Sequence, residues 1–235
     1  MAIHFDAKLA RRNPSQYLDS FTNFITRTIS RKQEVNPKTF SYTLHEIKDV
    51  FELQGEKQVF NKKAKRLAET LVSTNNNNLA GIVYSILIKL NQDDMRAVET
   101  FATNAFIIAK RLHDPIHIMA RANDLKQIYK ITAPNKEKLV NVLYQEKRAL
   151  SDICKNYDTI KNRYKTLSRE LQPKEAYMGM LNGIRVEIAQ ALKDSDPKLA
   201  KQELLKAQEY FENIEGGKYS KKIAHLLNEI DKISA

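Results

Sequence analysis

Residues 108–129 read IAKRLHDPIHIMARANDLKQIY, and the turn in their middle is the strongest fold signal in the chain. Asp114-Pro115 marks a helix start, because an aspartate caps the first turn and a proline has no N–H group to leave unpaired there. On either side, apolar residues recur every three or four positions, which is the spacing of one face of an α-helix. The stretch therefore predicts one helix that ends and a second helix that begins within a few residues.

Similar turn signals divide the rest of the chain into segments of helical length. Only 6 glycines and 6 prolines occur among the 235 residues, and both residue types break helices. No segment alternates apolar and polar residues for long enough to predict a strand. About ten helices are predicted, at residues 15–31, 37–53, 57–73, 79–90, 93–112, 115–131, 136–171, 174–192, 197–213 and 219–233, with a break in the longest near 156–158. The expected fold class is all-α, with the nearly apolar segment 79–90 as a central buried helix.

Pairs of amphipathic helices of this length favour an α-solenoid of antiparallel hairpins. A single pair cannot bury its own apolar face, so neighbouring pairs must supply the missing surface. Gly55 is the weakest point of the pattern, and it divides the chain into an N-terminal helical cap at 1–55 and a repeat domain at 56–235. One continuous domain is the alternative organisation.

Small and large residues at fixed spacing carry a resemblance to a known family. The positions are Ala97, Phe101, Ala105, Ala109, Ala122, Leu125, Tyr129, Ala200, Leu204, Ala207 and Tyr210. In such a spacing, alanine lets two helix backbones approach closely and the large residue fills the groove beside it. The pattern resembles the tetratricopeptide repeat (TPR) family, best over residues 79–132 and 180–213. That resemblance implies a stack of hairpins whose first helices line a concave groove for an extended peptide or a partner helix.

Three charged residues depart from that family's pattern. Lys126 occupies the position of the family's glycine, and Glu187 lies near a position where leucine is usual. The segment after Tyr129 lacks the alanines and offers Glu146 among its residues instead. The chain also contains no tryptophan. Another α-solenoid, or a non-repeating helical bundle, therefore remains an open interpretation.

The resemblance implies binding residues on the side of each first helix that faces away from the core. The implied groove residues are Lys89, Asn123, Gln127, Lys130, Arg185 and Lys193. Amide and cationic groups can hydrogen-bond the main chain of a peptide and its carboxylates, although ordinary solvated residues have the same composition. Because the net charge is +11, an acidic partner is favoured. The expected function is a non-enzymatic adaptor or scaffold that holds an acidic protein segment in a basic groove, or a peptide-sensing regulatory protein that uses the same groove.

A basic sector at residues 121–170 indicates an alternative function in nucleic-acid binding. Residues 121–180 carry 13 basic and 7 acidic residues, which is more than half of the chain's excess positive charge. The candidate phosphate-binding residues are Lys155, Lys161, Arg163, Lys165 and Arg169, with Tyr157 and Tyr164 interleaved as possible stacking partners for bases. Both tyrosines also fit apolar helical positions, so core packing is the competing interpretation of the rings.

The sequence indicates no catalytic residue, metal site or cofactor site. The glycine-rich phosphate-binding motifs and the nucleophile-elbow motif do not occur. His113 and His117 are four residues apart, but the helix start at Asp114-Pro115 separates them. The single cysteine, Cys154, excludes an internal disulfide, and no run approaches the roughly 18 apolar residues of a membrane helix. A cytoplasmic protein without enzymatic activity is therefore expected.

Overall fold

The computed structural model describes residues 7–132, 136–167, 170–212 and 218–234. All regular secondary structure in these ranges is α-helical, which confirms the expected all-α class. The helices are α1 Ala7–Arg12, α2 Pro14–Ser30, α3 Pro37–Leu53, α4 Lys57–Ser73, α5 Asn77–Leu90, α6 Met95–Arg111, α7 Pro115–Thr132, α8 Lys136–Lys155, α9 Tyr157–Thr166, α10 Lys174–Leu192, α11 Pro197–Glu212 and α12 Lys218–Ser234.

The described part of the chain thus has twelve helices where about ten were predicted. One addition is α1, whose six residues are too few to show an apolar period. The other arises because the predicted helix 136–171 is two helices, α8 and α9, which meet at Asn156 close to the expected break. There the side-chain amide of Asn156 donates to the Asp152 carbonyl oxygen (3.2 Å), a local bond that competes with continued helix. Residues 168–169 of that predicted helix lie outside the described ranges.

Aspartate side chains cap the helices at the predicted Asp-Pro starts. Asp114 Oδ1 accepts a hydrogen bond from the backbone N–H of Ile116 at 3.0 Å, and α7 begins at Pro115. Asp196 Oδ1 accepts from the N–H of Leu199 at 3.0 Å in the same way. Each bond satisfies a backbone donor that has no partner inside its own helix. The helix start predicted at Asp114-Pro115 is therefore confirmed.

The helices form two compact units, an N-terminal unit of residues 1–113 and a C-terminal unit of residues 114–235. In the N-terminal unit, α5 packs against α3, α4 and α6 and is buried on most of its surface, as its apolar sequence predicted. Fully buried phenylalanines belong to the same core, with Phe51 and Phe60 in edge-to-face contact at 5.5 Å between ring centres. The predicted domain boundary near Gly55 falls inside this unit.

In the C-terminal unit, helices that are close along the chain pack against one another. Helix α8 lies between α7 and α10, α10 packs against α11, and α11 packs against α12. The short helix α9 turns its apolar side to the same core. The alanines of the family-like spacing are buried in this unit, at Ala122, Ala200 and Ala207. Sequential packing and alanine contacts agree with stacked hairpins, while the solenoid arrangement and the family remain predictions.

Candidate binding surfaces

Three of the predicted groove residues lie together on α7. Asn123, Gln127 and Lys130 follow one another at spacings of four and three, which places them on one helix face. The opposite face carries Ala122 and Leu125 into the core, so the polar face is directed outward. The side-chain amide of Gln127 donates to Asn123 Oδ1 at 3.4 Å, a long bond that leaves most of their donors and acceptors available.

Lys130 connects this face to α10. Its Nζ donates to Glu187 Oε2 at 2.7 Å, across 57 residues of sequence. Lys130 is exposed and Glu187 is half-buried, so the pair lies at the surface end of the contact. The ion pair links a side chain of α7 to one of α10, the two helices that the hairpin prediction assigned as first helices. Asn123, Gln127, Lys130 and Glu187 form what we call the α7 polar face.

A buried ionic cluster lies beneath this face. Lys126 Nζ lies 3.0 Å from Glu146 Oε2 of α8 and 3.6 Å from Glu187 Oε1 of α10. Burial raises the pKa of Glu146, and the positive charge of Lys126 opposes that rise. The three charged residues that departed from the repeat pattern, Lys126, Glu146 and Glu187, are therefore partners of one another. Together they form an ionic contact that joins three helices.

Sequence reasoning missed this cluster, although its signal was present. Each of the three charges occupies a position where the repeat family that the sequence resembles has a glycine, an alanine or an apolar residue. A charge at such a position is buried, and a buried charge requires a partner of opposite sign. The pattern could therefore have indicated that these charges need buried partners, but not which residues the partners are.

The contacts of Arg185 and Lys193 are with the helices that follow α10. The Arg185 guanidinium donates to Asn182 Oδ1 at 3.0 Å and to the Lys206 carbonyl oxygen of α11 at 3.4 Å. Lys193 Nζ donates to Glu229 of α12 at 2.8 Å. The structure thus separates these two predicted groove residues from the α7 polar face.

Arg185 also borders a second buried acid. Its Nε lies 3.9 Å from Glu203 Oε2, and the other oxygen of Glu203 accepts a hydrogen bond from Lys147 of α8. This second cluster joins α8, α10 and α11. Most of the positive charge predicted for a groove in the C-terminal unit is therefore neutralised by carboxylates of the same unit.

Lys89, the remaining predicted groove residue, is exposed on α5 in the N-terminal unit. The pKa of His45 on α3 is lowered by burial and then by the charges of Lys48 and Lys89, which places Lys89 near that ring. No carboxylate of the described residues forms an ion pair with Lys89.

The predicted nucleic-acid cluster divides into buried rings and exposed cations. Tyr157 and Tyr164 are buried in the core, at 8% and 4% exposure, which confirms core packing of the rings. Arg163 pairs with Asp114 at 2.9 Å, and the hydroxyl of Tyr164 donates to the same carboxylate. Lys155, Lys161 and Lys165 are exposed, whereas Arg169 lies outside the described residues. The cations are therefore available to phosphates, but the two rings are not available to bases.

Comparisons with known proteins leave the family open. No protein-family model and no curated protein matches this chain. None of the helices in the described ranges combines the length and the apolar character that crossing a membrane requires. Within the same ranges, His, Cys, Asp and Glu side chains do not gather in a group of three or more that could hold a metal ion.

Proposed function

We propose that the chain is a non-enzymatic adaptor that binds an extended protein segment along the α7 polar face. The observation that carries the proposal is the ion pair of 2.7 Å between Lys130 of α7 and Glu187 of α10, which ties the polar face of α7 to α10 at the surface. A segment lying along α7 would meet Asn123, then Gln127, then this ion pair.

The amides of Asn123 and Gln127 have the chemistry to hold a peptide main chain. Each side chain offers two N–H donors and one carbonyl acceptor, which match the alternating C=O and N–H groups of an extended segment. Gln127 is exposed and Asn123 is half-buried, so both reach the surface from a helix fixed on its other side by Ala122 and Leu125. A preformed surface of this kind loses little entropy when it binds.

Charge plays a smaller part at this face than the net charge of the chain suggests. The positive charge of Lys130 is compensated by the carboxylate of Glu187. An acidic group of the ligand would have to compete with Glu187 for Lys130. Binding at the α7 polar face should therefore depend weakly on salt, since hydrogen bonds rather than long-range attraction hold the segment.

Selection from a random peptide display library on the immobilised full chain tests the proposal. Enriched peptides should bind the native chain, and their affinity for the Asn123→Ala/Gln127→Ala variant should be roughly 5- to 150-fold weaker, because two hydrogen bonds are lost and each is worth about 0.5–1.5 kcal/mol. Gln190→Ala, which removes an exposed amide from α10, is the matched control and should bind normally. If the enriched peptides bind the α7 variant and the native chain equally, the proposal is wrong.

Nucleic-acid binding through the exposed lysines of α8 and α9 is the competing function. It predicts retention of the chain on a polyanion with a steep dependence on salt, and loss of retention when Lys161 and Lys165 become glutamine. The α7 polar face predicts neither effect. A salt titration on immobilised single-stranded DNA therefore separates the two functions, when it compares the Lys161→Gln/Lys165→Gln variant with the Asn123→Ala/Gln127→Ala variant.

A further inference from the structure

A cleft between α2 and α4 in the N-terminal unit concentrates cations that have no role in the proposed function. Its volume is about 520 Å³, and it is open to solvent. Helix α4 contributes Val59, Lys62, Lys63 and Arg66, and α2 contributes Asp19. All three cations of α4 lie within the predicted helix at 57–73.

The cleft carries an excess of positive charge, with three cations and one carboxylate in its lining. Both carboxylate oxygens of Asp19 accept hydrogen bonds from Lys63 Nζ at 2.5 Å, so this acid is used by one of the three cations. Lys62 and Arg66 are exposed, and within the described residues they have no ion-pair partner. They are four residues apart on one helix, a spacing at which like charges repel and weaken the helix. An anionic ligand would remove that repulsion, whereas solvent only screens it.

An apolar residue lies between these charges. Val59 is 39% exposed and is three residues before Lys62 and seven before Arg66, on the same face of α4. The cleft therefore offers an aliphatic surface with two cations along one edge. The match for this arrangement is a protein segment that carries carboxylates next to an aliphatic side chain.

The same geometry disfavours a nucleic acid as the occupant. The cleft lining holds no aromatic ring on which a base could stack, among the residues that the structure describes. We propose that the α2–α4 cleft binds an acidic protein segment, with Lys62 and Arg66 pairing with its carboxylates and Val59 contacting an aliphatic side chain. This site is independent of the α7 polar face.

Fluorescence anisotropy with the full chain and a defined probe tests this site. The probe is a labelled decapeptide of glutamate and glycine around one central valine, and its reference is the same peptide with glutamine for glutamate. The native chain should bind the acidic probe and not the reference. Lys62→Gln/Arg66→Gln should lose at least about tenfold in affinity, because charge-assisted contacts are the strong ones.

Two control variants keep the outcome specific. Lys38→Gln/Lys65→Gln removes the same charge from exposed positions of the same unit outside the cleft lining, and should bind the acidic probe within about twofold of the native chain. Asn123→Ala/Gln127→Ala should also bind it normally, so a failure of the α7 proposal does not affect this test. Unchanged circular dichroism of each variant shows that the fold is intact.

Three results would overturn the proposal. One is equal binding of the acidic probe to the native chain and to the Lys62/Arg66 variant. Another is equal loss in the Lys38/Lys65 variant, which would show a general charge effect. The third is tighter binding of a labelled oligothymidylate than of the acidic peptide with loss in the Lys62/Arg66 variant, which would assign the cleft to a nucleic acid instead.

Discussion

The N-terminal and C-terminal units pack helices of similar length with different interiors. The buried polar residues of the N-terminal unit are uncharged in the described ranges, and an amide pair stands out: Asn61 and Asn91 exchange two hydrogen bonds at 2.7 and 3.0 Å. In the C-terminal unit three charged side chains, Lys126, Glu146 and Glu203, are only 5%, 5% and 3% exposed. One interior is apolar with a neutral polar contact, and the other is crossed by ion pairs.

The two interiors should contribute differently to the stability of each unit and to the choice of which helices pair. Apolar burial stabilises roughly in proportion to area and is tolerant of small shifts between helices. A buried ion pair adds little net stability, because both charges lose their hydration, but a misplaced partner is costly. We therefore expect the phenylalanines to provide the stability of the N-terminal unit and the ionic clusters to select which helices of the C-terminal unit pair.

Truncating a buried ring of the N-terminal core should have the largest effect on stability. Phe60 is fully buried against Phe51, so Phe60→Ala should destabilise the N-terminal unit by about 4 kcal/mol through lost burial and a cavity. Hydrogen exchange of the full chain, resolved by mass spectrometry into peptides, should show faster exchange in α3 to α6. Retained protection in those helices would mean that this core does not depend on the ring.

Removing the lysine of the buried ion pair in the C-terminal unit should have the next largest effect on stability. Lys126→Met removes the nearest cation from buried Glu146 and should destabilise the C-terminal unit by about 3 kcal/mol, because an uncompensated buried charge remains. The increase in exchange should lie in α7, α8 and α10. Lys201→Met is the control, since its partner Asp231 is exposed and the pair is worth less than about 1 kcal/mol. A loss as small as that of the control would contradict burial of the charge.

The smallest expected effect is a pH dependence of the unfolding free energy that arises from buried Glu146. Burial raises the pKa of Glu146 above its ordinary value of 4.5, so above that pH the folded state holds more protons than the unfolded state. The contribution of this residue is therefore fully present below pH 4.5 and is lost as the pH rises through the raised pKa. Thermal unfolding from pH 4 to 7 should show this decline in the native chain relative to Glu146→Gln. The opposite slope would show that Lys126 outweighs burial.

Helix positions could be predicted because their signals are local. Aspartate, asparagine and proline at the helix starts act within four residues of sequence, and α5 is apolar around nearly all its surface. The short helix α1 escaped because six residues show no period. Helices α8 and α9 are joined without a proline or glycine, and the local signal at their junction is Asn156, whose side-chain amide bonds the backbone of α8.

The partners of the charged residues could not be read from local signals. Lys126 and Glu146 are 20 residues apart, and Lys130 and Glu187 are 57 apart. Sequence patterns gave the helix face of Lys130 but not the acid opposite it, so a compensated cation was predicted as a free one. Lys62 and Arg66 of α4 show the reverse case, because they line a cleft and have no ion-pair partner among the described residues.

The most direct measurement compares Lys126→Met with the double variant Lys126→Met/Glu146→Leu, by hydrogen exchange of α7, α8 and α10 in the full chain. If the buried pair selects helix partners and adds little net stability, the double variant should regain most of the roughly 3 kcal/mol that the single variant loses. A double variant as unstable as the single one would contradict the account, because the pair would then be a principal source of stability for the C-terminal unit.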